Sequence, residues 1–186
     1  MMTEIFKDLM LDKPGELAFC RLQLHAPQTD IEFIQHCRQF PALRHCVWIS
    51  DHGSMVSNLP VWENLSLISG MQEFFKPAYL EQQLLDLLLT LGWSAPDATH
   101  WLSQSISSLT LPERLYATLV RTHLQPSHLL FVELAAWELL TSSLLLTALW
   151  SDLRARCRVM VLCPASSLLP PDLSLAKEVH LELCRG

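Results

Sequence analysis

Glu133 closes the apolar run Leu129-Leu130-Phe131-Val132. A carboxylate at the end of a buried strand, beside an Asp that holds a divalent metal, is one arrangement that serves phosphoryl transfer. Here the neighbour is Val132. Two other constellations carry the letters of chemistry. Ser50-Asp51-His52 has the residue types of a hydrolase triad, but triad members converge from separate segments and not from neighbours along one strand end. His36-Cys37 and His45-Cys46 have the residue types of a zinc site, yet adjacent residues on a helix or strand point apart, and the spacing matches no common zinc pattern. No metal and no cofactor is expected.

Phosphate binding demands more than one carboxylate. A Gly-rich loop lets backbone N–H groups converge on the phosphates, and a Lys and a Ser or Thr follow at the helix start. The chain has five Gly and none between Gly15 and Gly53, no Lys between Lys13 and Lys76, and no GxxxxGK[ST]. Where such a loop would stand the sequence reads HAPQTD, residues 25–30. A lone Glu cannot carry out a reaction that depends on several positioned parts at once. The expectation is therefore a chain that is not an enzyme.

The elements that must position these residues follow from the hydrophobic pattern. The chain has 186 residues, enough for one domain with a sizeable core. Half the residues are hydrophobic and 17% are charged, a low charge content that fits either apolar surface covered by a partner or a merely Leu-rich core. The formal charge is −6 with basic residues scattered, so no electrostatic footprint for nucleic acid exists. The most apolar stretch, Leu134 to Trp150, is interrupted by Glu138 and a Thr-Ser-Ser step and falls short of a membrane span. The N-terminal residues have acids where an export signal wants basic ones. The six Cys lack CxxC spacing and read as reduced thiols, so a cytoplasmic location is expected.

Strands are expected at LAFCRLQL, HCVWIS, LLFVEL, RVMVLC and VHLEL, and a helix at 31–40 with Asp30 as its cap. Further helices are expected at VWENLSLISGM, PAYLEQQLLDLLLTLGW, APDATHWLSQSI and LPERLYATLVRTHL, each opened by a Pro or a turn, and over about 136–155. Strands separated by helices imply an α/β fold with a three-layer parallel sheet. Residues 1–59 and 108–186 form the α/β core and residues 60–107 a helical insert. Trp48 and Trp150 suit the core, while Trp62, Trp93 and Trp101 fall on the helical lobe, either packed or at an interface.

In this order of pieces the sequence resembles the ATP-binding subunit of ABC transporters, in degenerate form and over almost the whole chain. VWISDHGSMVSNLPVWENLSLISG is similar to the family's Q-loop segment and the helix after it, with SNLPVWENLSL the most specific match. The intervals to LTLPERLYATLVRTHLQP, to LLFVE, to Val161-Leu162-Cys163-Pro164 and to LAKEVHLELCRG suit the signature helix, the Walker B strand, the switch-histidine strand and the closing strand. On this resemblance the fold is P-loop NTPase-like with a helical subdomain, and the N-terminal β-subdomain is reduced to residues 1–13. Ser50 takes the place of the Q-loop Gln, Val132 of the Walker B Asp, Pro164 or a neighbour of the switch His, and Leu109-Thr110-Leu111 of the signature Ser-Gly-Gly. Glu133 remains at the position of the catalytic glutamate.

The resemblance implies a pseudo-ATPase that docks on a membrane permease and pairs with an ATP-competent ABC ATPase subunit or a second copy of itself. It would lie on the cytoplasmic face of the inner membrane, without a direct membrane span. The wording of the Q-loop segment is closest to the phospholipid-transport type. The docking residues implied are Ser50, Asp51, Leu59, Trp62, Asn64 and Leu65. The alternatives are a soluble scaffold or regulator that kept the fold outside any transporter, and a nucleotide sensor binding at HAPQTD.

Overall fold

Short apolar runs without alternation suit strands that are covered on both faces, and this is how the chain uses them. The computed structural model describes residues 15, 17–22, 46–50, 55–67, 77–125, 127–164, 167–174 and 176–181. Five strands, β1 (Leu17–Leu22), β2 (Cys46–Ile49), β3 (Leu129–Glu133), β4 (Arg158–Pro164) and β5 (Lys177–Leu181), form one sheet in the order β2-β3-β4-β1-β5. Every neighbouring pair is parallel. Leu129 to Val132 and Val159 to Cys163 are buried without a break, so the middle of the sheet is closed to solvent. β5 begins two residues before the closing strand expected at 179–183, whose last two residues lie outside the described ones. The expected helix at 31–40, the HAPQTD segment and residues 1–13 lie outside the described residues.

The helices are α1 (Val61–Ser66), α2 (Pro77–Thr90), α3 (Ala95–Ser103), α4 (Leu111–Leu124), α5 (Leu134–Ser142) and α6 (Leu144–Arg156), with a 3-10 turn at Ile106–Ser108. Their starts are chemically marked. Ser94 caps α3 by accepting from the Asp97 backbone N–H, and Pro96 sits in the first turn. At α4 the Glu113 carboxylate accepts from the Thr110 N–H at 2.8 Å and from its hydroxyl at 2.6 Å. One apolar cluster runs from Phe19, Val159 and Val161 in the sheet through Leu115 and Leu119 of α4 to Leu84, Leu88 and Trp101 among the inserted helices.

The single helix expected over about 136–155 is instead two. The chain turns by 110° at Ser143, which has extended backbone and ends α5. Thr141 and Ser142 return their hydroxyls to the carbonyls of Trp137 and Glu138, a pattern that bends helices. The two halves then fold over one another, with Trp137 and Trp150 packed edge to face at 5.7 Å. The Trp137 indole N–H reaches Asp172 at 3.0 Å, and the Arg154 guanidinium lies over its ring. Among the described residues no single helix is long and apolar enough to cross a membrane; the bent pair passes only as a sum of two pieces.

Where α4 ends, three polar side chains tie it to α6. Arg156 bonds Asp152 at 2.9 Å and His123 Nδ1 at 2.9 Å, and Asp152 lies 3.2 Å from the same nitrogen. Burial and the Arg156 charge lower the His123 pKa, against the opposing pull of Asp152. A histidine whose folded pKa is depressed gives stability that is present above its unfolded value and lost as pH falls through the folded one. The thermal midpoint is therefore expected to fall between about pH 7.5 and about pH 5.5, with a shallower fall in His123→Gln. Equal slopes in the two proteins would remove His123 from the account.

Candidate functional site

In open parallel sheets the crevice beyond the carboxyl ends of the strands is the usual place for ligands. Here that edge carries Ser50 after β2, Glu133 at the end of β3 and Pro164 at the end of β4. Ile49 pairs with Val132, and Glu133 with Leu162, so Ser50 and Glu133 fall on adjacent strand ends. Glu133 also opens α5 as its first flanking residue. The Trp48 indole N–H donates to Glu133 Oε1 at 2.9 Å, while the Trp48 ring packs on Phe131 at 6.1 Å. The carboxylate is thus held by a rigid donor on the neighbouring strand. Trp48, expected simply in the core, is half-buried and serves this bond. Nothing in the sequence pairs two residues 85 positions apart.

Asp51 and His52 lie outside the described residues, as do His36, Cys37 and His45 of the zinc reading. Among the described residues no three His, Cys, Asp or Glu side chains group to hold a metal. Cys46 is half-buried, whereas Cys20, Cys157 and Cys163 are buried. Burial pushes the Cys157 thiol up from its ordinary value, against the Arg156 charge and a bond to the Ser127 carbonyl.

The second cluster is the loop 55–60 with α1. Asn64 is only 1% exposed and organises it. Its Oδ1 accepts from the Val56 N–H at 2.6 Å, and its Nδ2 donates to the carbonyls of Val56, Leu59 and Pro60 at 3.0, 3.2 and 3.2 Å. A buried amide that meets four backbone groups fixes the path of the loop. The loop is also stitched to the segment after α3. The Val61 N–H bonds the Gln104 carbonyl, Ser107 N–H bonds that of Ser57, and Pro60 bridges Ser105.

The six residues expected to dock a permease separate accordingly. Trp62 is 37% exposed, Leu59 and Ser50 are half-buried, and Asp51 is outside the described residues. Leu65 is 0% exposed and Asn64 nearly so; their side chains face inward and shape the loop instead of meeting solvent. Both stand three or four residues after the buried Val61, on the inner stripe of α1. Val56 and Leu67, absent from the expected set, are exposed apolar residues of the same segment. Trp101 and Trp150 are buried and Trp93 half-buried, so packing accounts for the first two.

No protein-family model matches the chain, and neither does any curated protein sequence. Solved structures do. cbiO1 of Clostridium perfringens, part of the ABC transporter complex cbiONQ, superposes with a TM-score of 0.53 at 9% identity, covering 82% of this chain and 68% of that one. A protein of Pyrococcus furiosus assigned as an ABC transporter ATP-binding protein superposes at 0.52 and 9% identity, covering 90% and 85%. The fold is that of ABC transporter ATP-binding proteins.

That finding corrects the expectation of a pseudo-ATPase that is not an enzyme. Of the two chains that superpose, one is part of an ABC transporter complex and the other carries the description of an ATP-binding protein of an ABC transporter, and the loss of the phosphate-binding loop is shown by no described residue, because 23–45 lie outside them. At 9% identity the likeness speaks for the α/β architecture and its parallel sheet.

Proposed function

We propose that this chain is the ATP-binding-type subunit of an ABC transporter, docking on a membrane permease through the loop 55–60 and α1. The observation that carries this reading is the build of that segment. Asn64 holds the loop rigid from inside, while Val56, Trp62 and Leu67 are left exposed on the outside. Three of the seven large exposed hydrophobics of the described chain fall within 55–67. A rigid loop presenting an exposed indole is a suitable anchor, since aromatic side chains carry a large share of interface energy. Ser50, Asp51 and Leu59 flank Trp62 in the docking set, and Asn64 and Leu65 act through the shape of the loop.

In this reading residues 60–107 form the helical lobe, with 1–59 and 108–186 as the α/β core. The subunit pairs with an ATP-competent ABC ATPase subunit or with a second copy, on the cytoplasmic face of the membrane. Glu133 keeps the position of the family's glutamate, with Trp48 orienting it. The transported class we propose is lipid, on the wording of SNLPVWENLSL.

Affinity purification of the tagged protein from detergent-solubilised membranes tests this directly. A permease should co-elute, and Trp62→Glu should reduce its recovery by about tenfold or more while leaving the thermal midpoint unchanged. If wild type elutes alone or with soluble proteins only, the transporter reading is wrong. If Trp62→Glu still recovers the permease, the docking surface is elsewhere.

A further inference from the structure

The net charge of the chain is not spread evenly along it. Between Arg44 and Arg114 the sequence has one Lys, Lys76, against seven carboxylates, a formal charge of −6, while the residues outside that stretch carry twelve of each sign and are neutral. This stretch holds the docking segment and the helical lobe. Its described residues include no Lys or Arg, and Glu81, Asp86 and Asp97 are exposed. Like charges gathered on one lobe surround it with a negative potential that acts on whatever approaches.

One of these carboxylates stands inside the exposed apolar patch. Val61, Asn64 and Leu65 face inward from α1, which leaves Trp62, Glu63, Ser66 and Leu67 on its outer side. The Leu67 N–H bonds the Glu63 carbonyl at 3.2 Å, so the two side chains lie one turn apart on the same face. Glu63 is half-buried, and its carboxylate has no hydrogen bond or ion pair among the described residues. An acid in the first turn of a helix gains a little from the backbone there, but α1 is only six residues long and that gain is small.

Whatever covers Trp62 also covers its neighbour Glu63. Taking an unpaired carboxylate out of water is unfavourable unless a cation meets it. Three kinds of occupant fail this requirement. An anionic lipid surface is repelled by the lobe. A two-fold contact of this face with a second copy sets Glu63 and the lobe against themselves. A metal ion finds no group of three His, Cys, Asp or Glu side chains among the described residues. A polypeptide that is apolar on one side and cationic beside it satisfies both Trp62 and Glu63.

We propose that the face formed by Val56, Trp62, Glu63 and Leu67 binds a basic amphipathic segment of a partner protein, with a Lys or Arg side chain paired to Glu63 and apolar side chains against Trp62 and Leu67. The inference rests on the docking reading for the place of contact and adds the chemistry of the partner. The charge of the lobe speeds encounter, and the pair at Glu63 fixes the register.

The test uses the purified full chain and a fluorescently labelled amphipathic helix of leucine and lysine, about four turns long, followed by anisotropy. Binding is expected at about 100 µM or tighter and weakens as salt is raised. Glu63→Lys should weaken it about fivefold or more, whereas Glu138→Lys, the same change of net charge at an exposed acid of α5, should stay within about twofold. Glu63→Gln keeps the size of the side chain and should weaken binding in the same direction, so it serves if Glu63→Lys melts early. Equal losses in the two charge reversals, no binding at about 1 mM, or undiminished binding of the same helix with glutamate for lysine would each overturn the proposal. So would binding to phosphatidylglycerol vesicles, or self-association of the chain that Glu63→Lys abolishes. Recovery of the permease from membranes reports on the docking reading separately. If the permease co-elutes and Glu63→Lys lowers neither its recovery nor helix binding, this inference falls alone. If no permease co-elutes while the helix binds through Glu63, the transporter reading falls and the basic partner stands.

Discussion

Trp137→Ala is expected to destabilise the fold by about 3–5 kcal/mol, enough to lower the thermal midpoint by on the order of 10 °C. The indole is fully buried at the elbow between α5 and α6. Removing it leaves a cavity beneath Trp150 and takes away the N–H that donates to the Asp172 carboxylate. It also takes away the ring beneath Arg154. Trp137→Phe keeps most of the packing and loses the hydrogen bond, so it should cost about 1–2 kcal/mol. Urea unfolding of the three proteins measures this. A loss below about 1 kcal/mol for the alanine variant would mean that the elbow is held by something other than this side chain.

Asn64→Asp changes almost no volume and should cost nearly as much, about 3–5 kcal/mol at neutral pH. It exchanges the Nδ2 donor for an oxygen facing the carbonyls of Val56, Leu59 and Pro60, at positions now 3.0 to 3.2 Å from that nitrogen. Only the bond from the Val56 N–H survives. Burial among carbonyls raises the pKa of the introduced carboxyl above its unfolded value. Stability lost at neutral pH is then recovered as pH falls toward about 5, where the protonated acid donates again. Unfolding at both pH values distinguishes this from a simple packing defect, which would show no such recovery.

The strands were legible because parallel strands buried on both faces have little choice but to be continuous apolar runs; LLFVE and RVMVLC read directly as β3 and β4. The starts of α2, α3 and α4 were legible from Pro77, Pro96 and Pro112. The elbow at Ser143 was not, because leucines continue on both sides of it and hide the change of direction. Its signal was the Thr141-Ser142-Ser143 step, whose hydroxyls compete for helix carbonyls. For the proposed docking segment the family pattern singled out a stretch of sequence but not which side chains face out. Helical spacing from Val61 places Leu65 inward, and Asn64 beside it. Glu133 was visible as a lone acid at a strand end, yet its Trp48 partner is a product of tertiary pairing alone. An aromatic cluster was hidden for the same reason: Trp93, Trp101 and Tyr116 look like three separate core residues until α3 and α4 bring them together.

The strand order has a consequence for synthesis. β1 pairs with β4 and β5, whose residues begin at Arg158 and Lys177. A chain emerging from the ribosome therefore carries β1 with both edges open until β4 and β5 have been made. At ordinary translation rates that wait lasts on the order of ten seconds, far longer than hydrophobic collapse takes. Leu17 to Leu22 is apolar enough to find a wrong neighbour in that interval. Yield in the cell should thus depend on chaperone supply and elongation speed more than on the stability of the finished molecule.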